Sequence, residues 1–302
     1  AVVVPSYKVK RHILEVLAAI GPEIARIYVV DDACPEGSGD HVRAHCSDPR
    51  VTVVALPENR GVGGATLAGF AAAAEAGATV IVKLDGDGQM DPGLVPRIVR
   101  PILEGRADYA KGNRFHEIDE LAVMPKVRLF GNAGLSFMTK LSSGYWDIFD
   151  PTNGFVAIDA RVFRALPVDK IARRYFFESD MLFRLNTLRA VVADVPIAAR
   201  YGEEVSNLSV HREFWRFLSG NIRNFLKRIF YNYLLRDFSL GTLYLVFGSL
   251  LLGFGVAFGA IQWIAHANAG ETASAGTVML AGLPVIRSEE RRVGKECQSV
   301  CR

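Results

Sequence analysis

From residue 1 to residue 196, short runs of β-branched and aliphatic residues alternate with longer stretches whose apolar positions recur at helical spacing. The runs read as strands at 1–4, 27–30, 51–56, 80–84, 109–110, 155–158 and 191–195. The stretches between them read as helices at 11–20, 40–46, 64–76, 94–104, 127–141 and 177–188. Strands such as Val2-Val3-Val4 and Val80-Ile81-Val82 are apolar at consecutive positions, which is the mark of burial on both faces. The alternation therefore predicts an α/β domain with a mostly parallel sheet and helices on both faces. No repeat of fixed period is present.

The pattern changes after Pro196. Residues 212–236 interleave six basic side chains and one acid, Glu213, with Phe214, Trp215, Phe217, Phe225, Phe230, Tyr231 and Tyr233. That composition suits a helix lying at a membrane surface, with rings at headgroup depth and cations toward anionic phosphates; a solvated amphipathic helix packed on the domain is the alternative. Between Asp237 and Glu271 there is no Asp, Glu, Lys or Arg. Residues 240–265 are long enough for the roughly 20 residues a span needs, with the cationic stretch on the cytoplasmic side. A second apolar run, 272–286, stops at Arg287 and is short of a span. The expected organisation is an α/β domain at 1–210, juxtamembrane helices at 211–238 and a membrane region at 239–286 whose second helix is cut short. Residues 287–302 follow no fold pattern and read as a non-native tail, and Ala1 opens directly into a strand, which reads as a clipped N-terminus rather than a signal peptide.

Charge and cysteine content narrow the functional classes. The formal net charge of +3 falls to +1 without the last sixteen residues, which carry five basic and three acidic groups, so a nucleic-acid binder is disfavoured. Four cysteines without CxxC spacing make no disulfide framework and suit a reducing compartment. Cys34, His41, His45 and Cys46 match no standard zinc spacing and read as local packing.

In doubly wound sheets, ligands sit outside the carboxyl ends of the strands, and three polar clusters fall there: Asp31-Asp32, Asp85-Gly86-Asp87 and Gly112-Asn113-Arg114. Alternating side-chain direction brings Asp85 and Asp87 near one another, with Gly86 letting a ligand approach the backbone. Two close carboxylates repel unless a cation or proton separates them, and hard oxygen donors favour Mg²⁺ or Mn²⁺. Because Mg²⁺ uses one or two carboxylates and fills its other positions with water and phosphate oxygens, the pair predicts a metal–diphosphate site. The loop Asn59-Arg60-Gly61-Val62-Gly63-Gly64 opens a helix and can offer backbone N–H groups to a phosphate-bearing ligand. It lacks the last glycine of the dinucleotide fingerprint and the Gly-Lys-Ser/Thr of a P-loop, which excludes both readings.

Taken together, Val4-Pro5-Ser6-Tyr7, Val30-Asp31-Asp32, Asn59-x-Gly61-x-Gly63, Asp85-x-Asp87-Gly-Gln89, Gly112-Asn113-Arg114, Asp150-Pro-Thr-Asn153-Gly154-Phe155 and Arg200-Tyr-Gly202 through Ser206-Asn207-Leu208 resemble the inverting GT-A glycosyltransferases of family 2. The likeness is to the branch of dolichol-phosphate mannose synthase and the bacterial polyprenyl-phosphate glycosyltransferases, and it runs in order over residues 1–265. The resemblance implies a GT-A, Rossmann-like fold and sugar transfer from a UDP- or GDP-linked donor onto undecaprenyl or dolichyl phosphate. It implies that Pro5, Tyr7, Asp31, Asp32, Asn59, Gly61, Gly63 and Asp85 hold the nucleotide sugar, and that Asp85, Asp87 and Gln89 hold the metal. Asp87, Arg114, Glu178 and Asp180 would act at the reacting centre, and Arg114, Arg200 and Ser206 would meet the acceptor phosphate. Partners would be the donor, the lipid phosphate and the membrane, with no nucleic acid; a homo-oligomer is compatible.

The chain departs from the family pattern at Lys8-Val9, where Asn-Glu is frequent, and at Asn207, where a lysine is frequent. A lipid monophosphate is largely ionised at pH 7 and needs no general base, so Glu178 and Asp180 are expected to position ligands. Two rivals stay open. One is a family-2 enzyme that elongates a saccharide with Asp180 as base. The other is a non-catalytic, membrane-anchored nucleotide-sugar binder.

Overall fold

A computed structural model of the chain describes residues 1–114, 126–197, 210–236, 238 and 240–286. These residues form two compact units, Ala1–Arg228 and Ile229–Arg302. The first is built on a seven-stranded sheet of β1 (Val2–Ser6), β2 (Ile27–Asp31), β3 (Val51–Ala55), β4 (Val80–Lys83), β5 (Tyr109–Asn113), β6 (Val156–Asp159) and β7 (Val192–Pro196), in the order β3-β2-β1-β4-β6-β5-β7. Its helices are α1 (Ile13–Ala18), α2 (Ser38–His45), α3 (Gly61–Glu75), α4 (Val95–Leu103), α5 (Lys126–Ser143), α6 (Ala160–Ala165), α7 (Phe177–Thr187) and α8 (Val210–Ile229).

Strand periodicity divides the core in two. On β1 and β2, Val3, Tyr28 and Val30 face one apolar layer, which also holds Phe70, Phe163 and Phe177. Val2, Val4, Ile27 and Val29 face the other, with Ile13, Leu17 and Ile98. Helix α3 lies close to the sheet because its contact face is small: a Cβ on Gly69 would come within 2.2 Å of Val3 Cγ1.

The sheet is mostly parallel, as expected, and two details go beyond the sequence reading. Strand β6 runs antiparallel to both neighbours, β4 and β5, so the sheet is mixed. A strand buried on both faces is apolar throughout whichever way it runs, so composition carries no sign of its direction. The short helix α6 was not anticipated; Asp159 caps it by accepting the Arg161 N–H at 2.7 Å.

The second unit contains α9 (Leu240–Ala269) and α10 (Ala275–Ile286). Helix α9 has 30 residues, and among the described residues it is the one helix long and apolar enough to cross a membrane. Gly255 admits α10: a Cβ there would lie 2.8 Å from the Ala281 carbonyl oxygen and from Val285 Cγ2.

Candidate active site

The carboxyl ends of β1, β2 and β4 open into a cavity of about 710 Å³. Its wall includes Pro5 near the end of β1 and Tyr7 just after it, Asp32 after β2, Asn59 and Gly61 at the start of α3, Asp85 and Asp87 after β4, and Glu178 on α7. Eight of the residues singled out in the sequence therefore meet around one space. Asp31, Gly63, Gln89, Arg114 and Asp180 do not line it. Arg200 and Ser206 lie outside the described residues.

The paired aspartates after β2 have local work. Asp31 accepts the Cys34 N–H at 2.8 Å and the Gly39 N–H at 2.9 Å, fixing the turn into α2. Asp32 accepts the N–H groups of Arg60 and Gly61 at 2.6 and 2.8 Å, and its carbonyl accepts from Asn59 Nδ2 at 3.3 Å. Asp32 thus holds the glycine-rich loop against the sheet edge, and it is the residue of the pair that reaches the cavity.

The glycines of that loop serve packing. Gly61 has φ +78°, and a Cβ there would lie 2.8 Å from the Arg173 carbonyl oxygen. On Gly63 a Cβ would meet Phe177 Cβ at 2.7 Å and the Ala172 carbonyl oxygen at 2.8 Å. Gly63→Ala is accordingly expected to destabilise the domain by about 1–3 kcal/mol through overpacking. Gly131→Ala, on α5 where nothing lies within 4 Å, should be neutral or slightly stabilising. Thermal melting of the two variants checks this, and equal melting temperatures would contradict the packing role. At Gly86, which lines the cavity, the side-chain direction points into Ile13, Val4 and Val9, so packing adds a second reason for glycine where its backbone meets the cavity.

Asp85 and Asp87 both line the cavity, but they lie in the turn after β4 rather than on a continuing strand, so strand alternation does not set their directions. Asp87 accepts the Gln89 N–H at 3.0 Å within an exposed turn, while the Gln89 side chain is exposed. Two hard carboxylates on the wall of one cavity are a donor set for Mg²⁺ or Mn²⁺. Among the described residues no group of three His, Cys, Asp or Glu side chains converges, so a metal here would take its remaining ligands from water and a bound diphosphate.

Lys83 in this wall and Lys111 on β5 are buried cations that sequence reading passed over. Lys83, 1% exposed, donates to Asp85 Oδ1 at 2.7 Å and to the Gly154 carbonyl at 3.2 Å, and its Nζ is 3.6 Å from Glu178 Oε1. Burial works against its charge, but the carboxylates of Asp85, Glu178 and Asp87 outweigh it and hold the ammonium above the usual lysine range. Burial pushes the Glu178 carboxyl up, against the pull of Lys83 and Lys111. Lys111, also fully buried, donates to the Asn153 carbonyl, and burial brings it down to about 8. The available signal was a lysine in each of two otherwise buried strands, β4 and β5. A buried lysine needs a partner: that of Lys83 is the site itself, while Lys111 rests on the Asn153 carbonyl.

Three of the expected residues serve elsewhere. Arg114 grips the buried Asp150 through Nε at 2.8 Å and a second nitrogen at 3.2 Å, and Asn113 donates to Asp194 at 2.7 Å. Asp180, wholly buried, accepts the Ala172 N–H at 2.8 Å through one oxygen and Asn224 Nδ2 at 2.8 Å through the other, with Arg184 Nε 3.7 Å away. It ties α7 to the 172 loop and to α8. The cations on the cavity wall are Lys83 and Arg174, and Arg174 stands at the exposed rim beside Tyr175.

Helix α8 packs through its polar side. Gly220 meets Phe176, and Asn221 and Asn224 are buried, Asn221 accepting from Ser142 at 2.5 Å. Trp215, Ile222 and Leu226 are more than half exposed on the opposite side, with Arg216 and Arg223 also exposed.

Comparison with known proteins places this geometry. The family model for glycosyl transferase family 2 matches residues 1–166, more than half of the chain. A UDP-N-acetylglucosamine–dolichyl-phosphate N-acetylglucosaminyltransferase of Methanococcus voltae is 33% identical over 154 residues, covering 51% of this chain and 61% of that protein, which is under two thirds of its length. An undecaprenyl-phosphate mannosyltransferase of Micrococcus luteus is 33% identical over 173 residues, covering 57% of this chain and 70% of the relative. Glucosyl-3-phosphoglycerate synthase of Mycobacterium tuberculosis, crystallised with Mn²⁺, UDP-glucose and phosphoglyceric acid, superposes with a TM-score of 0.55 at 20% identity, over 75% of this chain and 78% of that one. That likeness carries the fold, which is GT-A. On the strength of the family match and the sheet that bears these aspartates, the chain belongs to glycosyl transferase family 2.

Proposed function

We propose that this chain transfers a sugar from a UDP- or GDP-linked donor to a polyprenyl phosphate with inversion at the anomeric carbon. The observation that carries the reading is Asp85 and Asp87 on one cavity wall with the clamped Asp32–Gly61 edge, a room suited to a nucleoside diphosphate. The names of the Methanococcus and Micrococcus relatives support the acceptor class. An oxygen of the lipid phosphate attacks C1 of the α-linked sugar, the bond from C1 to the diphosphate oxygen breaks, and a β-linked lipid-phosphate sugar results. The acceptor oxygen is already ionised at pH 7, so no proton has to move. Asp85 and Asp87 would hold Mg²⁺ or Mn²⁺, with Gln89 as a further donor if its turn closes. When bound, the cation would neutralise charge growing on the leaving diphosphate. Asp32, Asn59, Pro5 and Tyr7 orient the nucleotide. Arg174, alone among the described wall cations in standing at the rim, meets the acceptor phosphate together with Arg200 and Ser206.

Helix α8, which turns apolar side chains outward and asparagines inward, supports membrane apposition, and α9 supplies the anchor. In this reading the catalytic unit faces the cytoplasm. A saccharide-elongating enzyme with Asp180 as base loses support, because both oxygens of Asp180 are engaged and it does not line the cavity.

The test is incubation of membranes containing the chain with undecaprenyl phosphate and labelled UDP-glucose, UDP-N-acetylglucosamine or GDP-mannose. One donor should give a labelled lipid-phosphate sugar, and EDTA should abolish it. Label appearing on saccharides and none on lipid, with every donor, would overturn the proposal.

A further inference from the structure

We infer that Lys83 is an internal counter-ion of the two-aspartate site, a positioning residue that keeps a divalent cation from settling on Asp85 until a nucleoside diphosphate comes with it. The inference rests on the donor-site reading above and deepens it.

Lys83 closes β4, a buried strand whose neighbours β1 and β6 hold the backbone there in register with Val3 and Val156. Its ammonium has three N–H groups, and three oxygens surround it: Asp85 Oδ1 at 2.7 Å, the Gly154 carbonyl at 3.2 Å and Glu178 Oε1 at 3.6 Å. The charge is spent inside the protein, on the two carboxylates that face the cavity. Gly154 is what lets it reach them, since a Cβ at that position would lie 2.4 Å from Lys83 Nζ and 2.8 Å from Asp85 Oδ2. The glycine of the Asp150-to-Phe155 segment is thereby explained as clearance for a buried cation.

The electrostatic consequence follows from sign. A dication approaching Asp85 meets a fixed positive charge in contact with the same carboxylate, in a site too buried for solvent to screen it well. A nucleoside diphosphate is attracted by that charge and repelled by the aspartates and Glu178. The ammonium offsets part of the carboxylates' pull on the dication, and the carboxylates repel the diphosphate, so each ligand binds better with the other present, and coupling of this kind is reciprocal. The arrangement favours loading of metal and donor together, and release of metal with the spent diphosphate.

The test uses the full chain in detergent and follows free Mn²⁺ by electron paramagnetic resonance, first with Mn²⁺ alone and then with UDP or GDP. For the parent, Mn²⁺ alone should bind weakly, and one of the nucleotides should tighten it. In Lys83→Met, nucleotide-free Mn²⁺ should bind about tenfold more tightly or better, and the factor by which nucleotide tightens it should shrink. Lys83→Arg keeps the charge and should keep the parent values. If Lys83→Met does not fold, Lys83→Gln keeps a hydrogen-bond donor toward Asp85 without the charge and should show the same tightening. Unchanged or weaker nucleotide-free Mn²⁺ binding in the folded variant overturns the counter-ion role and leaves the donor site standing. A parent that binds no Mn²⁺ even with either nucleotide removes the donor site itself, and this role with it.

Discussion

Replacing Asp87 with alanine is expected to lower sugar transfer roughly a thousandfold, because charge stabilisation on a leaving group is among the largest single contributions an enzyme makes. Stability should barely change. Asp87 lies on the cavity wall, and its bond to the Gln89 N–H belongs to an exposed turn rather than to either core layer. Membrane association should be untouched, since α9 belongs to the other compact unit. Gln89→Ala separates a two-aspartate site from a three-ligand one: with the side chain exposed and off the wall, its loss should cost less than tenfold. Transfer rates measured with saturating donor, beside thermal melts of both variants, check the pair. Near-parent activity in Asp87→Ala would remove the metal role from this aspartate. A Gln89→Ala loss as large as that of Asp87→Ala would make the glutamine a full ligand.

Most elements of the sheet were legible because strands such as β1, β2 and β4 are compact apolar runs and the helices have their own period; β5, where Lys111, Gly112 and Asn113 follow two apolar residues, ran longer than read, and the runs could not reveal that β6 is reversed. The cavity wall was legible for a related reason. Residues that break an apolar strand at its carboxyl end have few structural uses, and Asp32, Asp85 and Asp87 all lie on that wall. What sequence could not separate was a polar residue facing the cavity from one spent on holding the wall up. Asp31 and Asp32 are adjacent and chemically identical, yet Asp31 is consumed by the turn into α2. Glu178 and Asp180 are two residues apart on one helix, about 200° around its axis, so one faces the cavity and the other the α7–α8 interface. Arg114 was expected to grip a phosphate and grips Asp150, with the bidentate geometry that suits either anion. Lys83 and Lys111 went unread because a lysine is ordinarily solvated, and only the tertiary structure shows both at 1% exposure or less.

Asp180→Ala is expected to cost about 3–5 kcal/mol of stability, the scale on which a buried charged hub is broken by removing one member. The substitution strands the Ala172 N–H, the Asn224 amide and the Arg184 guanidinium, all of which now converge on one carboxylate. Their loss loosens the 172 loop, against which Gly61 and Gly63 are packed, and so reaches the glycine-rich edge of the cavity. The variant should therefore lose melting temperature first, and its residual folded fraction should show a raised KM for donor with a kcat reduced only modestly. A general base behaves in the opposite way, because its removal lowers kcat by orders of magnitude and leaves stability alone or improves it. Asp180→Asn sharpens the contrast, since it keeps one acceptor oxygen for the Ala172 N–H and turns an amide toward Asn224, which can flip to present its own oxygen. Partial recovery of melting temperature and of donor KM in Asp180→Asn is expected. Full stability with abolished turnover in both variants would return Asp180 to the chemistry and require the acceptor to approach from the α8 side.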